Sequence, residues 1–192
     1  MLVHRVRHVL GLAAVVVVPT TSTPCVALAQ AVDAKELRAA LISDLQVMRD
    51  KFVGLAEAFP QDKYSWRPMA GVRSVSEVLM LAAFEGYAFI PNSFGGQRAN
   101  LGTQQEAAAL RTLADKPQVI DHIKKGFAHA QQQLETIDAA TLTASRNLFG
   151  EVRTASAIAL LVHGDLHEHL GQMIAYARSN QIVPPWSKGS GN

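Results

Sequence analysis

The chain has 192 residues, with 18 basic and 16 acidic side chains, 48% hydrophobic residues and one cysteine. That is enough for one domain with a real core and too little for two full-sized ones. A single thiol excludes a disulfide framework and a cysteine-built zinc site, so any metal must be held by nitrogen and oxygen. Lys and Arg form no stripe, which argues against nucleic acid as a partner.

Residues 1–29 have the layout of a secretory signal peptide. Arg5 and Arg7 precede an apolar run from Val9 to Val18, then Pro19 and a small-residue stretch ending Ala27-Leu28-Ala29. The run spans about half a bilayer at about 1.5 Å per residue, so no stable membrane span is expected after cleavage. Removing this segment takes away two arginines and no acid, which balances the charge, and it takes Cys25 with it. A thiol-free mature chain suits a periplasmic or secreted location.

In the mature chain, residues 30–187 read as one helical domain and 188–192 as a disordered tail. Asp33 caps a long first helix in which Leu37, Leu41, Leu45, Met48, Phe52, Leu55 and Phe59 recur every three or four residues. Residues 60–73 read as an ordered loop, because Tyr64 and Trp66 are costly to leave in water. Ser74 and Glu77 form a capping box opening a second helix that runs through Val78, Leu79, Ala82 and Phe89 towards Pro91. After a Gly-rich break at 92–102, Thr103 and Glu106 open a short extra helix that ends near Asp115. Val119, Ile123, Phe127, Ala130, Leu134 and Ile137 mark the third main helix, with Pro117 in its first turn. A loop through Gly150 leads to the last helix, about 153–179. No strand pattern competes, so the expected fold is all-α: four amphipathic helices, each burying one stripe, in an up-down four-helix bundle.

Chemistry concentrates in the last helix, where His163, His167 and His169 alternate with Asp165 and Glu168. Residues four apart share a helix face, and residues two apart point about 200° away from each other. His163 with His167 is therefore one ligand pair and Asp165 with His169 another, and the two pairs cannot serve one ion. A helical His-x-x-x-His pair is a zinc-binding element that still needs further ligands; its bland reading is two solvated histidines. Asp165 shares its flank with Ile158, Leu161 and Val162, where a carboxylate needs a partner or a cation. A hydrogen bond to His169 would satisfy it without metal. His122 and His129 read as boundary residues, Trp66 and Trp186 as plugs over the ends of the bundle, and Tyr176 as core.

The stretches Asp62-Lys63-Tyr64-Ser65-Trp66-Arg67-Pro68, Gly71-Val72-Arg73-Ser74-Val75 and Glu77-Val78-Leu79, followed by His167-Glu168-His169-Leu170-Gly171-Gln172 and Pro184-Pro185-Trp186-Ser187, resemble the DinB-like superfamily in order and over nearly the whole mature chain. The resemblance implies an up-down four-helix bundle. It also implies a divalent metal on one histidine of the second helix and two, four apart, of the last. Members with known activity are mostly metal-dependent thiol transferases, or related hydrolases and isomerases. Carried over by position, His169 matches one ligand, Asp165 stands where its partner would be, and Leu81 occupies the place of the second-helix histidine. Glu85, one turn beyond Leu81, could restore a ligand and give a two-oxygen, one-nitrogen site for zinc, manganese or iron.

Two functional classes follow. One is an exported metal-dependent hydrolase or transferase acting on a small molecule. The other is a metal-free, non-enzymatic bundle that binds a small apolar ligand or a partner chain. Homodimerisation is plausible for the family.

Overall fold

The computed structural model describes residues 33–187, so the signal-peptide and tail expectations lie outside the described residues. The described chain is mostly helical. Helix α1 (Ala34–Ala58) begins where the Asp33 carboxylate accepts from the backbone N–H of Lys35 and Glu36. It buries Leu41, Leu45, Met48, Phe52 and Leu55, a spacing of three or four that keeps them on one face. Helix α2 (Val75–Phe84) opens on the complete Ser74–Glu77 capping box. Helix α4 (Gln104–Leu110) opens on that of Thr103 and Glu106, and α5 (Lys116–Thr136) on Asp115, with Pro117 in its first turn. Helix α7 (Ala155–Ser179) is capped by Thr154, two residues after the expected start.

Helix α1 packs on α5 and α7, and α2 packs on the same two helices. Their stripes meet in one core in which Met48, Phe52, Leu79, Ile123, Phe127, Val162, Leu166 and Met173 are essentially inaccessible to solvent. Each such side chain contributes about 1.5 to 3 kcal/mol relative to exposure. Phe52 and Phe127 lie with ring centroids 5.9 Å apart, which ties α1 to α5 at the centre. Among the described residues, no helix is long and apolar enough to cross a membrane.

The 60–73 loop is ordered, for the reason its aromatics suggest. Tyr64 is fully buried and donates its hydroxyl proton to the Ala56 carbonyl at 2.7 Å. The backbone N–H of Val75 reaches Trp66 O, and that of Ser76 reaches Tyr64 O, at 3.0 and 2.9 Å. Lys116 Nζ donates to Glu57 O and Phe59 O at 2.8 and 2.7 Å, placing a cation on the carbonyl end of α1, where the helix dipole favours it.

Three elements depart from the sequence reading. The second helix is not continuous: after Phe84 it opens into a π-helical turn, Glu85–Phe89, and resumes as α3 (Ile90–Ser93). Ile90 N–H bonds Glu85 O, a five-residue step. The cause is legible at Pro91, which has no N–H to give the Tyr87 carbonyl four residues back and whose ring crowds it. A widened turn relieves the clash, and Tyr87 O accepts instead from Ala99 N–H at 2.8 Å. Second, α6 (Ala139–Thr143) follows α5 directly, capped by Asp138. Third, the expected loop through Gly150 is a hairpin of β1 (Arg146–Leu148) and β2 (Glu151–Arg153), paired antiparallel with Leu148 opposite Glu151. Its two loop residues, Phe149 and Gly150, have φ of 55° and 88°, both positive as a type I′ turn requires. Trp186 is not a plug: it is 41% exposed, with Lys51 Nζ 5.7 Å over its ring. Trp66 does pack on the core, edge-on to the buried Tyr176 at 5.4 Å.

Candidate metal centre

Glu85 lies one regular turn beyond Leu81, its N–H still reaching Leu81 O, so it keeps the α2 register and meets His169 of α7; the π step begins at Glu85 and shifts the residues that follow it. The turn also lies against α5 with almost no intervening side chain. A Cβ on Gly86 would overlap the backbone of Gly126, and a Cβ on Gly126 would overlap the Ala83 carbonyl. Two glycines thus let the backbones touch and fix the depth at which Glu85 sits.

Glu85, Asp165 and His169 come together. One ligand atom from each lies within 4.8 Å of the other two. His169 Nε2 is 3.2 Å from Glu85 Oε1 and 3.8 Å from Asp165 Oδ1. The Glu85 side chain is 4% exposed, that of His169 15% and that of Asp165 46%, so the group grades from the interior to solvent. The His169–Glu85 approach is an ion-pair distance without hydrogen-bond alignment: both Glu85 oxygens are buried and neither accepts a hydrogen bond. Burial raises the Glu85 carboxyl above its ordinary range, against the pull of His169. The contact with Glu85 raises the His169 imidazole, against burial. Asp165 and Arg73 are the further charges acting on both, Asp165 raising each group and Arg73 lowering it.

Arg73 is held near the site by its backbone. The Tyr176 hydroxyl donates to Arg73 O at 2.9 Å and accepts from Gln172 Nε2 at 2.9 Å, which ties the loop before α2 to α7. Arg73 lines a cleft with Arg67, Arg111, Leu81 and Phe84. On its other side Asp165 lines an open apolar groove with Phe89, Phe149, Leu160 and Leu161. Phe149 at the hairpin tip is 80% exposed and lies 5.8 Å from the Phe89 ring. The charge of Arg73 and the groove formed by the hairpin were both missed from sequence, since each depends on elements far apart in the chain.

His163 and His167 do not join this group. They meet Asp44 of α1: His163 Nδ1 is 2.5 Å from Asp44 Oδ2, and His167 Nε2 is 3.2 Å from both Asp44 oxygens. Asp44 was not a candidate from sequence, although one signal was present. It lies three residues after Leu41 and four before Met48, an acid on the apolar stripe of α1. Leu81 lines the arginine cleft and brings no donor atom. His122 Nδ1 is 3.0 Å from the Tyr87 hydroxyl, and His129 Nε2 is 2.9 Å from Gln97 O, so each ties the second helical segment and its following loop to α5.

The profile of the DinB superfamily matches residues 44–173, more than half of the chain. The chain belongs to the DinB superfamily. A crystallised DinB-like protein from Bacillus subtilis superposes with a TM-score of 0.56 at 19% identity, covering 75% of this chain and 93% of that one; the likeness is one of fold. No functionally curated protein matches the chain. Within the DinB superfamily, the expected ligand set is one histidine from the second helix and two from the last. This member offers Glu85, Asp165 and His169, and that set fits a divalent metal on structural grounds. Two oxygens and one nitrogen converge, and the buried carboxylate among them makes no aligned hydrogen bond, its nearest partner being the His169 imidazole at 3.2 Å.

Proposed function

We propose that this DinB superfamily member is an exported, metal-dependent hydrolase or transferase acting on a small molecule, built on an up-down four-helix bundle. The observation that carries the reading is Glu85: a carboxylate 4% exposed, without a hydrogen bond, directed at an imidazole and a second carboxylate. A buried carboxylate beside a second one costs several kcal/mol unless it is protonated or paired, and a cation held between the two and the His169 imidazole would meet that need. Glu85, Asp165 and His169 would hold zinc, manganese or iron. A bound ion of this kind acts as a Lewis acid towards water or a polarised substrate oxygen.

The protein's own groups supply the rest. Asp165, half-exposed, is the solvent-side ligand and marks the face from which substrate arrives. Arg73, whose charge acts on Glu85 and His169, would compensate negative charge on the reacting group. The groove of Phe89, Phe149, Leu160 and Leu161 suits an apolar substrate body. Hydrolysis fits better than thiol transfer, because a chain exported by its N-terminal segment would not meet the cytosolic thiol pool. A homodimer remains compatible with the exposed Val152, Leu160 and Phe149.

The test is a panel of small esters, amides and phosphoesters offered to the purified mature protein. Turnover should vanish with chelator, return with added divalent metal, and be absent in His169→Ala. Turnover indifferent to chelator and to His169→Ala would defeat the proposal. Amino-terminal sequencing of protein from the periplasm or medium should begin just after Ala29; a cytoplasmic, uncleaved chain would remove the export half of the reading.

A further inference from the structure

Positive charge is in excess in the cleft beside the metal centre. Arg67 and Arg73 enter it from the loop before α2, and Arg111 from the end of α4. They face a wall of Glu77, Leu81 and Phe84, which recur at i, i+4 and i+7 and so share one side of α2. The Arg67 guanidinium donates to Val72 O at 2.9 Å and pairs with Glu77 at 3.3 Å. That of Arg111 lies over the Phe84 ring, 4.8 Å from its centroid, a contact that restrains the cation without neutralising it. Among the described residues, neither Arg73 nor Arg111 has a carboxylate within ion-pair distance. Three guanidinium groups therefore share one carboxylate, and Glu77 is already engaged by the Ser74 N–H as well as by Arg67.

We propose that this cleft anchors the anionic end of the substrate, a carboxylate or phosphate on a small organic molecule whose adjoining carbon atoms lie on Leu81 and Phe84. A guanidinium fork matches the paired oxygens of either group. The arginine side chains are the donors, because the N–H groups that open α2 are taken: those of Ser74, Val75, Ser76 and Glu77 meet Glu77, Trp66, Tyr64 and Ser74. The cleft holds about 380 Å³, a volume for a small molecule rather than a polymer. Leu81 and Phe84 are half-buried, so the wall offers an apolar surface next to the charge.

Position ties the cleft to the metal centre. Leu81 of its wall is one turn before Glu85, whose N–H reaches Leu81 O, and Arg73 acts on both Glu85 and His169. Asp165, the third member of the centre, lines the apolar groove, so the centre joins cleft and groove. An anion seated on Arg73 and Arg111 brings the adjoining part of its molecule to the centre and leaves the groove for an apolar remainder. The substrate class is thus an amphipathic carboxylate or phosphate monoester. That class rests on the metal-dependent reading above, whereas anion binding by the cleft does not.

The test begins with metal-free protein titrated with phenyl phosphate, benzoate and, as the neutral control, benzyl alcohol, followed by NMR. At least one of the anions should bind about tenfold or more tighter than benzyl alcohol, and the tighter anion identifies the group the cleft prefers. Arg73→Gln and Arg111→Gln should each weaken that binding about tenfold, the scale of one charge-assisted hydrogen bond, and added salt should weaken it in the wild type. Arg98→Gln, exposed and outside the cleft, removes the same charge and should change nothing. Arg67 is left in place because it also holds the loop. Should an arginine variant melt early, the wild-type amide resonances of Leu81, Phe84 and Thr112, all of the cleft, should still shift with the anion and stay unmoved by benzyl alcohol. Anions that bind no better than benzyl alcohol, or equally well to both folded arginine variants, overturn the proposal. Arginine-dependent binding without metal-dependent turnover would count against the catalytic reading alone. Chelator-sensitive turnover indifferent to Arg111→Gln and to the charge of the substrate would count against this inference alone.

Discussion

At the scale of single residues, Glu85 separates function from stability. A buried carboxylate without a hydrogen bond destabilises the metal-free fold, so Glu85→Met, which keeps the volume and removes the charge, should raise the stability of the apo protein by about 1 to 3 kcal/mol. The check is denaturant unfolding in chelator, where an unchanged slope with a higher midpoint is expected. Greater instability would mean that the carboxylate has a stabilising partner in the fold. The functional residues were partly legible in the sequence: helix spacing alone divides the Asp165–His169 face from the His163–His167 face. Asp44 was not found because its pairing joins two helices without any local period, and Arg73 because its reach depends on how the loop before α2 is tied to Tyr176.

Among the elements, the capping boxes and apolar stripes were readable because they are local, and they carry measurable energy. Ser74→Ala removes the acceptor for Glu77 N–H and should cost about 1 kcal/mol. The Glu77 carboxylate accepts from Ser74 N–H at 2.7 Å, and that bond, helped by Arg67, lowers its carboxyl below the ordinary value of 4.5. A group depressed on folding contributes stability that is present above its unfolded value and lost as pH falls through its folded one. The stability advantage over Glu77→Gln should therefore be constant above about pH 5.5 and shrink as pH drops below 4.5; a difference independent of pH between 3 and 7 would contradict this. The π turn was hidden because it takes counting the backbone bond that Pro91 cannot make. The hairpin was hidden because two three-residue strands around Phe149-Gly150 lack the alternation and the Asn-Gly turn that advertise one. The glycine contact between the π turn and α5 yields a sharper expectation. Gly126→Ala drives a methyl group into the Ala83 carbonyl, which is backbone and cannot swing aside. The cost should be about 2 to 3 kcal/mol, and by displacing Glu85 the substitution should weaken metal binding as well. A variant with native melting and native metal affinity would show that the crossing is slack.

Across the whole molecule, the residues that carry the family resemblance turn out mainly to build the scaffold. Tyr64, Trp66, Ser74 and Glu77 fasten the first long loop to α1, α2 and α7, and this explains why the helical class and the family were readable at low identity to known structures. The candidate metal centre is where this member departs from the family pattern, with Leu81 in place of a ligand and two carboxylates beside one imidazole. That departure is the claim on which the functional account rests. The most direct measurement is a crystal structure of the mature protein grown with Zn²⁺, with anomalous data collected at the zinc edge. The account predicts an anomalous peak at about 2.0–2.3 Å from Glu85, Asp165 and His169 together. A well-ordered site with no peak there, and His169 donating a linear hydrogen bond to Glu85 instead, would contradict it.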